Sequence, residues 1–131
     1  MVDRILREFY KIENREIIFD GKKPLLKSRA KHFSISHSGE FIALAFSDFA
    51  CGIDIEENTP RDYKKIAERM KFSCTTPDEF YQDWTFFEAK YKLGATPAAS
   101  KTYKLGNYTL TALSSNPSEH FELYIQNSAT K

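Results

Sequence analysis

The sequence predicts an α+β domain in which helices pack on an antiparallel sheet. Between positions 33 and 56, short runs of apolar, aromatic and β-branched residues are separated by turn residues, which is typical of strands. Two stretches with apolar residues at helical spacing follow, and the tail holds two further alternating runs. At 131 residues the chain has the size of one domain, and we expect residues 1–131 to form a single one.

The N-terminal part is expected to contain a helix, a strand and a loop. Apolar residues at i, i+3, i+4 and i+7 predict an amphipathic helix, and they are Val2, Ile5, Leu6 and Phe9. Residues 17–19 predict a short strand that Asp20 and Gly21 close. The basic stretch that follows predicts a solvated loop, and its members are Lys22, Lys23, Lys27, Arg29 and Lys31.

Three strands are predicted in the middle of the chain, over residues 33–38, 41–47 and 51–56. The first two are joined at Gly39, and the second is apolar on both sides, which predicts a central strand. In the third strand, Ile53 and Ile55 should point inward, with Asp54 and Glu56 on the opposite side.

Two helices and a pair of strands complete the expected fold. Thr59 followed by Pro60 predicts the start of the first helix, whose apolar positions are Tyr63, Ile66, Ala67 and Met70. Residues 76–79 predict a capping box for the second helix, which should end at Gly94 and bury a stripe of Phe80, Trp84, Phe87 and Tyr91. Residues 108–113 and 121–125 predict an antiparallel pair at the end of the sheet.

Charge and hydropathy argue against several classes of protein. The 19 basic and 18 acidic side chains nearly balance, which argues against a nucleic-acid-binding protein. The chain has no apolar run of about 18 residues, so we expect no membrane span. Cys51 and Cys74 have no CxxC spacing and no signal peptide is evident, which predicts a reduced, cytoplasmic protein.

Three acidic side chains are candidates for a metal site. Asp54 and Glu56 share one side of a predicted strand, and Glu88 lies at the edge of the apolar stripe on the second helix. Three hard oxygen ligands suit Mg²⁺, which prefers a few carboxylates together with water and phosphate oxygens. Lys92, one turn after Glu88, and His37 could contact phosphate, so the residues predict a magnesium-dependent site for a phosphate ester.

Each of these signals also has an ordinary structural explanation. Asp54 and Glu56 could form the polar face of an edge strand, and Glu88 with Lys92 could be a helix surface pair worth about 0.3 kcal/mol. His37 could form a local hydrogen bond. A magnesium-dependent phosphohydrolase would use the same acids, although the sequence offers no water-activating partner beyond them.

Three sequence blocks in a fixed order resemble a known family. SISHSG at 34–39, GIDIE at 52–56 and WTFFEAKYKLG at 84–94 are similar to the signature of the 4′-phosphopantetheinyl transferase superfamily, in its Sfp-type order. The resemblance covers residues 4–112 and implies the fold of that family. It also implies that magnesium-dependent transfer moves phosphopantetheine from coenzyme A to a serine of an acyl or peptidyl carrier protein, with release of 3′,5′-ADP.

The resemblance implies roles for the acids and for one lysine. Asp54 and Glu56 match the metal-binding acids of the GIDIE block. Glu88 matches the third metal-binding acid, which is also the proposed general base for the carrier serine. Lys92 matches a helix lysine that contacts phosphate, so Glu88 and Lys92 are the expected catalytic residues.

Coenzyme A contacts are implied in the same way. Ser36 and His37 match residues that hold the coenzyme A phosphates. Lys23 matches the lysine of a Gly-Lys-Pro segment that contacts coenzyme A, although an extra Lys22 precedes it here. Phe87 departs from the family pattern, because it stands where the helix motif usually has a lysine.

Members of this arrangement consist of two similar halves, and this chain is expected to begin midway through the first. The shorter holo-acyl-carrier-protein synthase branch trimerises and builds its sites between subunits, which predicts a homo-oligomer here. The alternative function is a weak or inactive relative that binds coenzyme A or a carrier protein without transfer, and Phe87 favours it.

Overall fold

The structure, a computed structural model, describes residues 2–8, 10–20, 23–59 and 62–125, without the side chains of Asp3, Asp20 and Lys23. These residues form α1 (Val2–Glu8), β1 (Ile17–Asp20), β2 (Lys23–Leu26), β3 (His32–Ser38), β4 (Phe41–Ser47), β5 (Cys51–Glu57), α2 (Tyr63–Met70), α3 (Pro77–Leu93), β6 (Ala99–Leu105) and β7 (Tyr108–Ser114). The predicted α+β class is confirmed. No helix within these ranges is long and apolar enough to cross a membrane.

The strands form three small antiparallel sheets where one sheet was predicted. β1 pairs with β2, β3 pairs with β4, and β7 lies between β5 and β6 in the third sheet. Within the described ranges β4 is therefore an edge strand, and the prediction of a central strand is wrong. Its two sides are apolar because they pack on different parts of the core: Ala43 belongs to the buried cluster of Ile53 and Ile55, whereas Phe46 packs against the cluster of Leu6 and Phe33.

Two strands, β2 and β6, were not predicted. β6 pairs with β7 through a two-residue turn at Gly106 and Asn107. Residues 121–125, which were the predicted partner of β7, form no strand. The exposed lysines and serine of β6 conceal its alternation. Residues Lys23–Leu26 pair with β1, although they were expected in a loop.

The N-terminal helix is held by the predicted apolar residues. Leu6 is fully buried against Leu26 and Phe33, and Val2 packs on the same cluster. Phe9, Gly21 and Lys22 lie outside the described residues. In the basic stretch, Lys27 and Arg29 are exposed as expected, but Lys31 is half-buried and forms an ion pair with Asp48 at 2.7 Å.

Helix α2 begins later than the sequence suggested. Its N-cap is Asp62, whose Oδ1 accepts a hydrogen bond from the Lys64 amide at 3.2 Å. Thr59, the predicted cap, is instead held by the Tyr81 hydroxyl, which accepts from its amide and donates to its carbonyl. Pro60 lies outside the described residues.

Helix α3 has the predicted cap but a different buried side. Thr76 Oγ1 accepts from the Glu79 amide, which confirms the predicted N-cap, and Glu79 reaches back to the amide of Thr75, one residue before the cap, at 2.8 Å. The predicted stripe is buried only near α2, because Phe87 and Tyr91 are 41% and 81% exposed. The side that packs on the sheet consists of Thr85, Ala89 and Leu93.

Candidate metal and phosphate site

Helix α3 lies directly on the side of β5 that carries Asp54 and Glu56. Gly52 makes this approach possible, because a Cβ atom there would collide with the carbonyl oxygen of Ala89 and lie 2.8 Å from the amide nitrogen of Leu93. The period of two along the strand then places both carboxylates under the same helix. The predicted alignment of the two acids is confirmed by the contacts that α3 makes with each of them.

Asp54 is the most deeply placed acid of the site, with only 5% of its surface exposed. Its Oδ1 accepts hydrogen bonds from Ser36 Oγ at 3.1 Å and from Lys92 Nζ at 3.4 Å. Lys92 Nζ also donates to the backbone carbonyl of Ile35 at 3.1 Å. The second carboxylate oxygen of Asp54 is buried and has no hydrogen-bond partner among the described residues.

The surroundings of Asp54 disfavour its negative charge. Burial raises the pKa of this carboxyl to about 7, and repulsion from Glu56 acts in the same direction. Lys92 and the Ser36 hydroxyl oppose the shift without cancelling it. Asp54 therefore lies in a place where additional positive charge would be stabilising.

Glu56 and Glu88 complete the acidic side of the site. Glu56 is half-buried, and its Oε1 accepts a hydrogen bond from the indole Nε1 of Trp84 at 3.2 Å. Glu88 lies on α3 one turn after Trp84 and one turn before Lys92, the two residues that contact Glu56 and Asp54. It is half-buried, and its side chain forms no hydrogen bond or ion pair with another described residue, so its carboxylate is available to a ligand.

The chemistry of these residues fits a divalent cation, but the acids are not drawn together around one point. Across the described ranges, no three His, Cys, Asp or Glu side chains are grouped so that they could hold a metal ion. Lys92 instead supplies positive charge to Asp54. The unpartnered oxygen of Asp54, beside Glu56 on the same strand, is the kind of donor that a hard cation satisfies.

One of the predicted ligand-binding residues, His37, lies away from the Asp54 cluster. Ser36 points toward β5, so the next residue, His37, points to the other side of β3 and is exposed. His37 does not join the Asp54 cluster, and its contact with a phosphate stays a prediction. The side chain of Lys23 lies outside the described part of the chain.

Sequence reasoning missed Trp84 and the two outer serines of β3 as parts of the site. Trp84 was assigned to the apolar stripe and to the third sequence block but was given no role in the site, although its indole N–H reaches Glu56. Ser34 and Ser38 accept hydrogen bonds from the amides of Ile53 and Glu57 on the acid-bearing strand. Three serines at alternate positions of one strand were a detectable signal, because that side of β3 is polar although it faces the protein.

Three elements thus meet at one place: the Ser-His strand, the Gly-Ile-Asp-Ile-Glu strand and the helix that bears Glu88 and Lys92. The chain belongs to the 4′-phosphopantetheinyl transferase superfamily. The 4′-phosphopantetheinyl transferase psf-1 of Bacillus pumilus is 35% identical to it over 109 residues, and the match covers 71% of this chain and 46% of that protein. The chain therefore spans about half the length of this relative. No family model matches the chain.

Proposed function

We propose that the protein transfers 4′-phosphopantetheine from coenzyme A to a serine of an acyl or peptidyl carrier protein, with Mg²⁺ as cofactor. The proposal includes a single domain with the fold of the superfamily. It is supported by the named relative and by the chemistry of the residues that surround Asp54. A homo-oligomer stays a prediction, and light scattering that shows a strict monomer would exclude it.

One observation carries the proposal. The buried, unpartnered Oδ2 of Asp54 lies on the same side of β5 as Glu56, in a place where charge repulsion and burial both disfavour a bare carboxylate. Asp54, Glu56 and Glu88 would hold Mg²⁺, which neutralises diphosphate charge and stabilises a leaving phosphate when it is bound. A protein gains nothing in stability from such an arrangement without a cation, so we interpret it as a binding feature.

The chain's own residues would perform the remaining steps. Glu88, half-buried and without a partner in the described ranges, would accept the proton of the carrier serine hydroxyl. The serine oxygen would form a bond to the phosphorus next to pantetheine, and the bond from that phosphorus to the leaving 3′,5′-ADP would break. Lys92, 3.4 Å from Asp54, would donate to a diphosphate oxygen of coenzyme A. Ser36, His37 and Lys23 would hold coenzyme A phosphates.

A second candidate function is binding of coenzyme A or a carrier protein without transfer. Phe87 favours it, because this residue stacks on Trp84 with ring centroids 6.0 Å apart, at the position where the family motif usually has a cation. A site with one positive charge fewer would stabilise the transferring phosphate less.

The test is incubation of the protein with coenzyme A, Mg²⁺ and apo carrier proteins, followed by mass spectrometry of the carriers. One added phosphopantetheine per carrier is the expected result, and Glu88→Gln should remove it while the protein remains folded. If coenzyme A binds but no carrier is modified, the binding function replaces the transferase function. If the protein modifies no carrier and binds neither coenzyme A nor a carrier protein, both functions are wrong.

Metal binding can be followed separately through the single tryptophan of the chain. Trp84 donates to Glu56, so Mg²⁺ bound at the acids should change its fluorescence. Asp54→Ala should abolish this change, whereas Asp48→Ala, which alters an exposed acid at a different part of the molecule, should retain it. A change that persists in Asp54→Ala would place the metal elsewhere.

A further inference from the structure

The strand that carries the acids is joined to β3 by side chains. The backbone amides of Ile53, Ile55 and Glu57 donate to serine hydroxyls of β3 at 3.1, 3.1 and 2.9 Å. Their acceptors, in the same order, are Ser34, Ser36 and Ser38. We call this set of bonds the serine seam, and it occupies the edge of β5 that faces away from β7.

The serine seam defines a single register between the two strands. The serines of the seam occupy alternate positions of β3. A shift of one residue would therefore turn Ile35 and His37 toward β5 and leave the amides of β5 unpaired. Unpaired buried amides are strongly unfavourable. A shift of two residues would leave one of the three amides without a hydroxyl. The seam therefore fixes which residue of β3 stands beside Asp54.

Ser36 belongs both to the serine seam and to the acid site. Its hydroxyl accepts from the Ile55 amide at 3.1 Å and donates to Asp54 Oδ1 at the same distance. The carbonyl of Ile35, the preceding residue, accepts from Lys92. The position of β3 along β5 thus decides whether these groups reach the site.

We propose that Ser34 and Ser38 are positioning residues for this site. They contact none of the acids, but they hold β3 on either side of Ser36 and thereby keep the Ser36 hydroxyl and the Ile35 carbonyl opposite Asp54 and Lys92. The inference rests on the proposed function for its effect on coenzyme A and Mg²⁺, whereas the serine seam itself is independent of any activity.

Amide hydrogen exchange tests the serine seam directly. Ser38→Ala should accelerate exchange of the Glu57 amide by about tenfold and leave the Ile53 amide unchanged, because one hydrogen bond is removed at one end. Ser34→Ala should give the opposite pattern. Ser38→Thr keeps the hydroxyl and should restore protection. Ser28→Ala is the matched control, since its exposed hydroxyl bonds the backbone of Asn14 and Ala30, outside the serine seam.

The positioning role is tested by kinetics under conditions in which each variant is folded. Ser38→Ala should raise the KM for coenzyme A about fivefold with kcat within about twofold, and weaken Mg²⁺ binding measured by Trp84 fluorescence to a similar degree. Ser38→Thr should restore both values. A purely structural role would lower the unfolding midpoint and leave KM and metal affinity as in the wild type, which would overturn the proposal.

Failure of the proposed function and failure of the positioning role can be distinguished. If the wild type neither modifies carriers nor binds coenzyme A, the proposed function is wrong, and the Mg²⁺ affinity of the variants then decides the positioning role. A wild type that also binds no Mg²⁺ leaves nothing for the serines to position, which overturns the proposal. Unaltered exchange of the Glu57 amide in Ser38→Ala would overturn the serine seam itself.

Discussion

Gly52 is the residue on which the contact between α3 and β5 depends. Gly52→Ala should lower the free energy of unfolding by about 1–3 kcal/mol, because the new methyl group meets backbone atoms of Ala89 and Leu93 that cannot move independently of the helix. Urea denaturation measures the change. Gly106→Asn is the control, since a Cβ there meets nothing within 4 Å and asparagine tolerates its positive φ. If both variants match the wild type, the close approach is wrong.

Asp54 illustrates a residue that costs stability in the absence of a ligand. In EDTA at pH 8, Asp54→Asn should raise the free energy of unfolding by on the order of 1–2 kcal/mol, because it removes a buried carboxylate that is repelled by Glu56. Thermal unfolding across a pH series measures the difference between the two proteins.

The pH dependence of that difference has a definite sign. Since the folded pKa of Asp54 is raised from 3.8 to about 7, the folded wild type binds the proton more tightly than the unfolded chain. Its stability is therefore highest below pH 3.8 and falls as the pH rises through 7, relative to Asp54→Asn. The advantage of the variant should shrink as the pH is lowered. A variant less stable than the wild type at pH 8 would contradict the prediction.

At the scale of elements, α3 buries one aromatic residue of its predicted apolar stripe and exposes another. Phe80→Ala should cost about 3–5 kcal/mol, because Phe80 is fully buried between α2 and α3. Tyr91→Ala should change the stability by less than about 0.5 kcal/mol, because Tyr91 is 81% exposed. Chemical denaturation of both variants compares the two positions. Equal losses would mean that the apolar stripe is buried along its whole length.

The elements also show what local sequence can and cannot predict. The caps of α3 and the strand bounds of β4 depend on neighbouring residues, and they were predicted correctly. The buried side of α3 depends on β5, which Gly52 brings so close that small residues such as Ala89 face the sheet and the larger Phe87 does not. No periodicity in α3 contains that information.

The candidate site likewise has features that local sequence predicts and features that depend on tertiary packing. The common side of Asp54 and Glu56 follows from the period of a strand, which is local. The bond from Trp84 to Glu56 and the serine seam join residues about twenty or more positions apart, and their pairing depends on how β3 and α3 pack on β5. Sequence reasoning therefore found the acids together with Ser36 and Lys92, and it missed Trp84 and the outer serines of β3.

At the scale of the whole molecule, the sheet of β3 and β4 meets the sheet of β5, β7 and β6 through contacts at its middle and at both ends. The serine seam forms the middle. At one end the Tyr108 hydroxyl accepts from the Glu40 amide, and its ring packs edge-on against Phe41. At the other end, Glu119 accepts hydrogen bonds from Ser47 of β4 and Ser114 of β7. The acid site thus lies between two fixed ends.

The contact at Glu119 should contribute to the stability of the entire domain. Glu119→Ala would leave the buried hydroxyls of Ser47 and Ser114 without their shared acceptor, and we expect a loss of about 1–3 kcal/mol in the free energy of unfolding. Urea denaturation measures it, and Glu122→Ala, an acid whose bonds are exposed, is the control. Because Glu119 joins two sheets, amides near the ends of both β4 and β7 should exchange faster in the variant. Faster exchange on β7 alone would mean that Glu119 holds only its own segment and that the sheets are joined elsewhere.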